Sequence, residues 1–159
     1  MIVLTMNFKT PSFFLLSTLF IFNTFSNTFS IQEIDDEFMW PTSGVVSSEW
    51  GPRYGEFHDG IDITCRRGNE IYAAQAGIVK TSKRNRRLGH HVVIDHLNGY
   101  KTVYGHGDRR LVEKGQRVEK GDALIECGST GLSTGPHLHL EVLKKNKKIN
   151  PRKVFHGNP

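Results

Sequence analysis

A His-x-His pair lies in the stretch TGPHLHLEV, which spans residues 134–142. The stretch has the alternating apolar pattern of a β-strand, in which residues two apart project to the same face. His137 and His139 would then present two imidazoles to one side. Imidazole nitrogen is a common zinc ligand, but such pairs also occur on ordinary strand surfaces. The pair therefore needs partners elsewhere in the chain before it indicates a metal site.

The motif HDGID supplies candidate partners. In an extended chain, residues i and i+4 also share a face, so His58 and Asp62 would project together, and Gly60 between them adds no side chain. Two neutral imidazoles and one carboxylate form a common catalytic zinc set, which leaves one coordination position open to water. A further histidine, His106 in VYGHG, ends another predicted strand.

The elements that must position these residues are short β-strands. Runs of β-branched and aromatic residues separated by glycine predict six strands, and no stretch has the periodicity of a long amphipathic helix. The strands are expected at residues 45–50, 77–82, 91–96, 100–105, 123–126 and 137–143. Asn98-Gly99 predicts a two-residue hairpin turn, and the KKNKK segment predicts another reversal. The expected fold class is mainly β, with mostly antiparallel sheets.

Length and composition are those of one folded domain. A chain of 159 residues can bury one real core but not two, and its 37% hydrophobic and 23% charged residues differ from a disordered composition. The net charge of +5 includes basic clusters at residues 80–87 and 144–153. In an exported protein these clusters favour anionic envelope polymers over nucleic acid as partners, although solvated turns would look the same.

The N-terminal segment predicts export. Residues 1–30 hold no acid, one base, Lys9, and the apolar run SFFLLSTLFIF. The run is short for a membrane span and typical of a secretory signal peptide, with an uncleaved N-terminal anchor as the alternative. We therefore expect a signal peptide or anchor at 1–30, a short linker at 31–39 and the folded domain at 40–156. The protein would reach the periplasm, the cell envelope or the medium.

The two cysteines, Cys65 and Cys127, leave two interpretations open. An exported protein can join them in a disulfide, whereas two buried thiols would fit the sequence equally well. Neither belongs to a Cys-x-x-Cys pair, so they do not predict a zinc site.

Several blocks in one order make the sequence similar to the lysostaphin-type, or LytM-like, zinc peptidoglycan endopeptidases. The blocks are GVVSSEWGPRYGEFHDGIDI, AAQAGIV, HHVVIDHLNGYKTVYGH, VEKGQRVEKGDALIECGSTGLSTGPHLHLEV and INPRKVF. They extend from about Trp40 to Phe155. The resemblance implies a single domain whose sheets form a substrate groove, one zinc ion per chain, and hydrolysis of peptide bonds in bacterial peptidoglycan, in cross-bridges or in stem peptides.

The resemblance also implies a role for each candidate residue. His58, Asp62 and His139 would bind zinc, while His106 and His137 would stay unligated and assist catalysis. One unligated imidazole would accept a proton from water and the other would stabilise the charged intermediate. Which of the two does which depends on tautomers and substrate placement, and the sequence leaves that open.

Two alternative functions compete with this one. A noncatalytic wall-binding or amidase-activating module could keep the fold, but such relatives typically lose metal ligands, and this chain retains them. A biotin or lipoate carrier is suggested by the pattern GQRVEKGDALI at residues 115–125, yet the lysine of the best hairpin, Lys101, does not occupy its tip. Peptidoglycan is the expected partner of a monomer, with a membrane only if the N-terminal segment stays uncleaved.

Overall fold

The computed structural model describes residues 37–53 and 55–159, so the predictions for residues 1–30 and for most of the linker lie outside the described residues. The described part contains twelve β-strands and one short 3₁₀ helix, and no α-helix occurs in it. No helix within these ranges is long and apolar enough to cross a membrane.

Most strands belong to one antiparallel sheet. In chain order the strands are β1 Val46–Ser48, β2 Gly51–Arg53, β3 Glu56–His58, β4 Ile61–Thr64, β5 Glu70–Tyr72, β6 Gly77–Asn85, β7 Gly89–Asp95, β8 Tyr100–Gly107, β9 Arg117–Val118, β10 Ala123–Glu126, β11 His137–Lys144 and β12 Lys147–Ile149, followed by the 3₁₀ helix Pro151–Lys153. The sheet has the order β1-β4-β11-β8-β7-β6-β9, with β12 beside β11. Strands β2 and β3 form a separate hairpin, and β10 pairs with β5. The predicted fold, a mainly β and antiparallel single domain, is confirmed.

Strand β11 separates the core from the polar face of the sheet. Leu138, Leu140 and Val142 are almost fully buried in the hydrophobic core. The alternate residues, among them His137 and His139, therefore project to the opposite face. Because a slip of one residue in register would exchange the two faces, burial of the three apolar residues fixes where the histidines point.

The packed domain begins slightly before the expected boundary at Trp40. Phe38 is 7% exposed and packs edge-on against Tyr100 and Phe155, with ring centroids 5.5 and 5.7 Å away. The backbone N–H of Met39 donates to the carbonyl of Ala74 at 3.0 Å. The last residues of the predicted linker therefore contribute to the core.

The two predicted chain reversals have different turn structures. Lys145 and Asn146, between β11 and β12, have φ values of 50° and 62°, as a two-residue type I′ hairpin turn requires. The predicted two-residue turn at Asn98-Gly99 is wrong. Four residues, 96–99, connect β7 to β8 there, with positive φ at Leu97 and Gly99. The N–H of His96 still donates to the carbonyl of Tyr100 at 3.0 Å, and the His96 side chain bonds the carbonyl of Ala76 at 2.9 Å.

A disulfide joins Cys65 to Cys127, which decides between the two interpretations of the cysteines. The two residues are 62 positions apart, and a loop of that length corresponds to about 4 kcal/mol of stabilisation in the chain-entropy model. Their chain neighbours, Thr64 and Gly128, both pair with His137. The cross-link therefore fastens the two segments that flank the start of β11.

Candidate metal centre

His58 and Asp62 meet at a bend between two strands of different sheets. His58 ends β3 and Asp62 is the second residue of β4, so the extended chain assumed from the sequence is wrong here. The chain bends at Gly60, where a Cβ would lie 2.4 Å from the carbonyl oxygen of Leu140 and 3.0 Å from Cε1 of His139. Glycine is needed because it allows this close approach to β11.

Strand β11 brings the third candidate ligand to this bend. Its antiparallel pairing with β4 sets His139 opposite Asp62. Nε2 of His58 lies 3.1 Å from Oδ1 of Asp62 and 3.2 Å from Nδ1 of His139, and the last two atoms are 2.8 Å apart. All three side chains are buried. The structure thus brings the three predicted ligands together at one point.

Hydrogen bonds on the far side of each imidazole fix which nitrogen faces that point. Nδ1 of His58 donates to the carbonyl oxygen of Glu49 at 2.8 Å, and Nε2 of His139 donates to Oε1 of Glu141 at 3.3 Å. Carbonyls and carboxylates only accept, so these nitrogens carry the hydrogens. In the neutral imidazoles, the other nitrogens therefore direct lone pairs towards Oδ1 of Asp62.

Three converging acceptors of this kind fit a divalent cation. Tetrahedral zinc with bonds of 2.0 to 2.1 Å separates its ligand atoms by roughly 3.3 to 3.4 Å, close to the spacing seen here. Positive charge is favoured at this point. Burial opposes ionisation of Asp62, but hydrogen bonds from the protonated forms of the His139 and His58 rings outweigh burial and lower the pKa of Asp62. Burial also opposes protonation of His139, yet its bonds to Asp62 and Glu141 raise its pKa.

Two charged residues that the sequence did not single out support the ligands. Nη1 of Arg53 donates to Oδ2 of Asp62 at 3.2 Å and to the Ser48 hydroxyl at 2.7 Å. Glu141 is 4% exposed and accepts from His139. The alternation that places His137 and His139 on one face also includes position 141, so the sequence pattern could have predicted Glu141. It could not have predicted Arg53, because the strand of Arg53 lies in another sheet.

A Glu141→Gln variant is expected to bind zinc about 10- to 100-fold more weakly than the unaltered protein. Glutamine keeps the shape of the side chain and can still accept from Nε2 of His139. It loses the negative charge that makes the imidazole a stronger ligand. The dissociation constant is measured by competition with a chelator, with Glu113→Gln, an exposed residue outside the site, as the control. Equal zinc affinity in both variants would show that Glu141 does not tune the ligand.

His106 and His137 lie beside the three ligands without joining them. Nε2 of His137 is 3.7 Å from Oδ1 of Asp62, on the face of β11 that also carries His139. The ring centroid of His106 lies 4.7 Å from that of His137 and 5.7 Å from that of His139. The four histidines and one aspartate predicted from the sequence therefore form one cluster.

Backbone carbonyls hold both of these imidazoles in the same tautomer. Nδ1 of His137 donates to the carbonyl of Gly135 at 2.8 Å, and Nδ1 of His106 donates to the carbonyl of Thr130 at 2.8 Å. In the neutral form, Nε2 of each ring then has a lone pair available to accept a proton. Burial lowers the pKa of His106 to about 4, so its imidazole is neutral at pH 7.

The backbone of His106 has a conformation that few non-glycine residues adopt. Its φ is 66°, in the left-handed region. The N–H of His106 donates to the carbonyl of Leu88 at 2.7 Å, and this bond and the side-chain bond to Thr130 maintain the conformation. Strain of this kind is concentrated at functional sites, where the surrounding structure stabilises it.

All five predicted site residues line one cleft of about 260 Å³. Its rim carries two large apolar side chains with unusually high exposure, Phe57 at 51% and Leu132 at 67%. Phe57 extends from the β2–β3 hairpin and packs edge-on against Trp50, while Leu132 lies in the loop before β11. The arrangement is a groove with apolar edges over a cluster of candidate metal ligands and two further imidazoles.

Known proteins share this sequence pattern. A model of the family described as Peptidase family M23 matches residues 56–151. The peptidoglycan DD-endopeptidase ShyC of Vibrio cholerae is 42% identical over 116 residues, which cover 69% of this chain and 27% of ShyC. The murein hydrolase activator NlpD of Escherichia coli is 36% identical over 113 residues, which cover 70% of this chain and 29% of NlpD. The chain spans about a third or less of the length of these curated relatives.

Solved structures share the fold. A zinc containing peptidase from Vibrio cholerae superposes with a TM-score of 0.60 at 35% identity, covering 77% of this chain and 38% of that one. The catalytic domain of lysostaphin from Staphylococcus simulans has a TM-score of 0.60 at 22% identity, covering 73% and 90% of the two chains, and shows the fold alone. Lys101, which the carrier alternative would need at a hairpin tip, lies inside β8. With its family model matching more than half of its length, this chain belongs to peptidase family M23, as the lysostaphin-type resemblance implied.

Proposed function

We propose that this protein is an exported zinc metalloendopeptidase that hydrolyses peptide bonds of bacterial cell-wall peptidoglycan. The observation that carries the proposal is the placement of five groups in one cleft: three converging ligand atoms and two imidazoles, each with a free Nε2. Membership of family M23 and the likeness to a relative named a peptidoglycan DD-endopeptidase support the substrate class.

His58, Asp62 and His139 would hold one zinc ion per chain. When bound, Zn²⁺ supplies Lewis acidity towards the scissile carbonyl and towards an attacking water. The chain itself keeps the ligands fixed. Arg53 restrains the Asp62 carboxylate, and Glu141 sets the tautomer of His139. Because the ligand atoms are oriented before substrate arrives, little reorganisation is needed during the reaction.

His106 and His137 would carry out the proton transfers. Either Nε2 can accept a proton from the attacking water, and the resulting imidazolium can then donate to the developing oxyanion or to the leaving amine. Among the described residues that line the cleft, the only carboxylates are Asp62, a ligand, and Glu56, which is exposed on β3. The acid and base roles therefore fall to the two histidines.

A noncatalytic activator is the second candidate, because a relative of similar identity, NlpD, is named a murein hydrolase activator. The cleft favours the hydrolase. An activator that works by contact alone has no need for buried metal ligands or for two imidazoles with fixed tautomers, and this chain has both.

Export is part of the proposal. The Cys65–Cys127 disulfide is typical of oxidising compartments outside the cytoplasm, and the first 30 residues have the composition of a signal peptide or anchor. A monomer acting in the periplasm, the cell envelope or the medium would meet peptidoglycan there. Its basic clusters would contact anionic envelope polymers, with no role for nucleic acid.

The test is hydrolysis of defined cross-linked muropeptides by the purified protein, followed by mass spectrometry of the products. The expected result is addition of one water across a peptide bond, loss of this activity on chelation and its return with Zn²⁺. Intact muropeptides from several wall types, with zinc fully bound, would contradict the proposal. Stimulation of an added amidase under those conditions would establish the activator instead.

A further inference from the structure

The cleft contains two cationic side chains that take no part in the proposed proton transfers. Arg53 and Arg87 both line it, with 46% and 57% of their side chains exposed. Glu56 is the exposed acid in the same cleft, and Asp62 is committed to the metal centre. The accessible charge of the cleft is therefore positive, which favours an anionic group on the substrate.

Arg87 is anchored at the cleft wall by a side-chain bond and a backbone bond. Its Nη2 donates to Oδ2 of Asp59 at 2.9 Å, and its backbone carbonyl accepts from the N–H of Leu132 at 2.9 Å. Asp59 also accepts from Nζ of Lys148 at 2.8 Å, and Lys148 in turn donates to Glu141 at 2.9 Å. The guanidinium has five N–H donors, and its remaining donors make no hydrogen bond to a described residue. A fixed fork with unused donors is suited to a carboxylate.

The groove has two chemically different halves. A second cleft of about 370 Å³ shares Arg53, Asp62, Thr134 and His137 with the first. Its other lining residues are neutral, and most carry hydroxyl groups: Ser47, Ser48, Thr64, Gly135 and Pro136. A peptide whose scissile bond lies at the shared residues would extend into both clefts. Only one of its two sides would then meet Arg87.

We propose that Arg87 is a specificity-determining residue that binds a free carboxylate of the peptide beside the scissile bond. This inference rests on the proposed function and narrows its substrate class. Acidic stem peptides would be preferred over neutral cross-bridges such as those made of glycine. Arg53 is less suited to this role, because its bond to Asp62 makes it part of the proposed metal centre, whereas Arg87 bonds none of the three proposed ligands.

The experiment compares two forms of one cross-linked muropeptide, with its stem carboxylates free or converted to primary amides. The full-length protein with zinc is expected to prefer the free acid in kcat/KM by about 10- to 100-fold, the effect of one charged hydrogen-bonded pair. Arg87→Gln should lose most of this preference through KM, with kcat nearly unchanged. Arg86→Gln, an exposed neighbour that does not line the cleft, should retain it.

Equilibrium binding separates this inference from the proposed function. An uncross-linked stem peptide, as free acid and as amide, reports on recognition alone when mass spectrometry shows that it stays intact during the measurement. Tighter binding of the acid that disappears in Arg87→Gln supports the inference even if no muropeptide is cleaved, in which case only the proposed function fails. Equal affinity for acid and amide, or an unchanged preference in Arg87→Gln, would overturn it.

Discussion

A His139→Ala variant is expected to lose its zinc, and its rate of muropeptide hydrolysis should fall by more than about 10³-fold. Alanine removes one of three ligands at a point where His58 and Asp62 converge on it within 3.2 Å. Loss of a single oxyanion donor already costs about 10²- to 10³-fold in enzymes. Loss of the metal removes activation of both the carbonyl and the water, so the effect should be larger.

The His139→Ala measurement needs metal analysis beside kinetics, because His139 is buried and its removal leaves a small cavity. Zinc content is measured by mass spectrometry and folding by near-ultraviolet circular dichroism. His156→Ala changes an exposed histidine outside the cleft and should retain both metal and activity. Asp62→Asn, which conserves side-chain shape, should reproduce the loss in a folded protein. Hydrolysis at the unaltered rate in His139→Ala would exclude the assigned metal centre.

Part of this site could be predicted from the alternation within one strand. Burial of the apolar side chains of Leu138, Leu140 and Val142 in the core is enough to place His137 and His139 together on the other face. Neighbours in sequence and the period of a β-strand are enough for this prediction, because a run of buried apolar residues permits one register.

The period of a β-strand also predicts the pair in HDGID, although the backbone there is not one continuous strand. His58 and Asp62 do converge, but the chain bends at Gly60 and the two residues belong to different sheets. Periodicity describes a continuous strand and cannot show where a strand ends. The bend is set by contact with Leu140, which lies 80 positions further along the chain. Only the pairing of β4 with β11 makes that contact visible.

The groups that support and surround the cluster could be identified only from the tertiary structure. Lys148 reaches Glu141 at 2.9 Å because Lys145 and Asn146 reverse the chain, a turn whose type depends on two positive φ values. Arg87 appeared in the sequence as one of a run of basic residues. Its position at the cleft wall depends on a backbone bond from Leu132, 45 positions away. Contacts between residues so far apart in the chain leave no pattern in the spacing of residues nearby in sequence.

Substitution of either unligated histidine should separate metal binding from catalysis. His106→Asn and His137→Asn are each expected to keep full zinc content while kcat falls by about 10²- to 10⁴-fold, the usual contribution of a general acid or base. Asparagine is chosen because it tolerates the left-handed backbone of His106, with its φ of 66°, better than alanine does. Metal content and single-turnover rates on one muropeptide are the measurements. His156→Asn is the matched control.

The double variant tests whether the two imidazoles act as one unit. Their rings are 4.7 Å apart, and both present Nε2 from a carbonyl-anchored tautomer, so one can take the proton from water while the other, when Nε2 is protonated, stabilises the charge that develops. If both act in the same transition state, removing the second after the first costs far less than its single effect. Strictly multiplicative losses would mean that the two histidines act in separate steps. Loss of zinc from either single variant would instead make that histidine a ligand, against the geometry in which only His58, Asp62 and His139 converge.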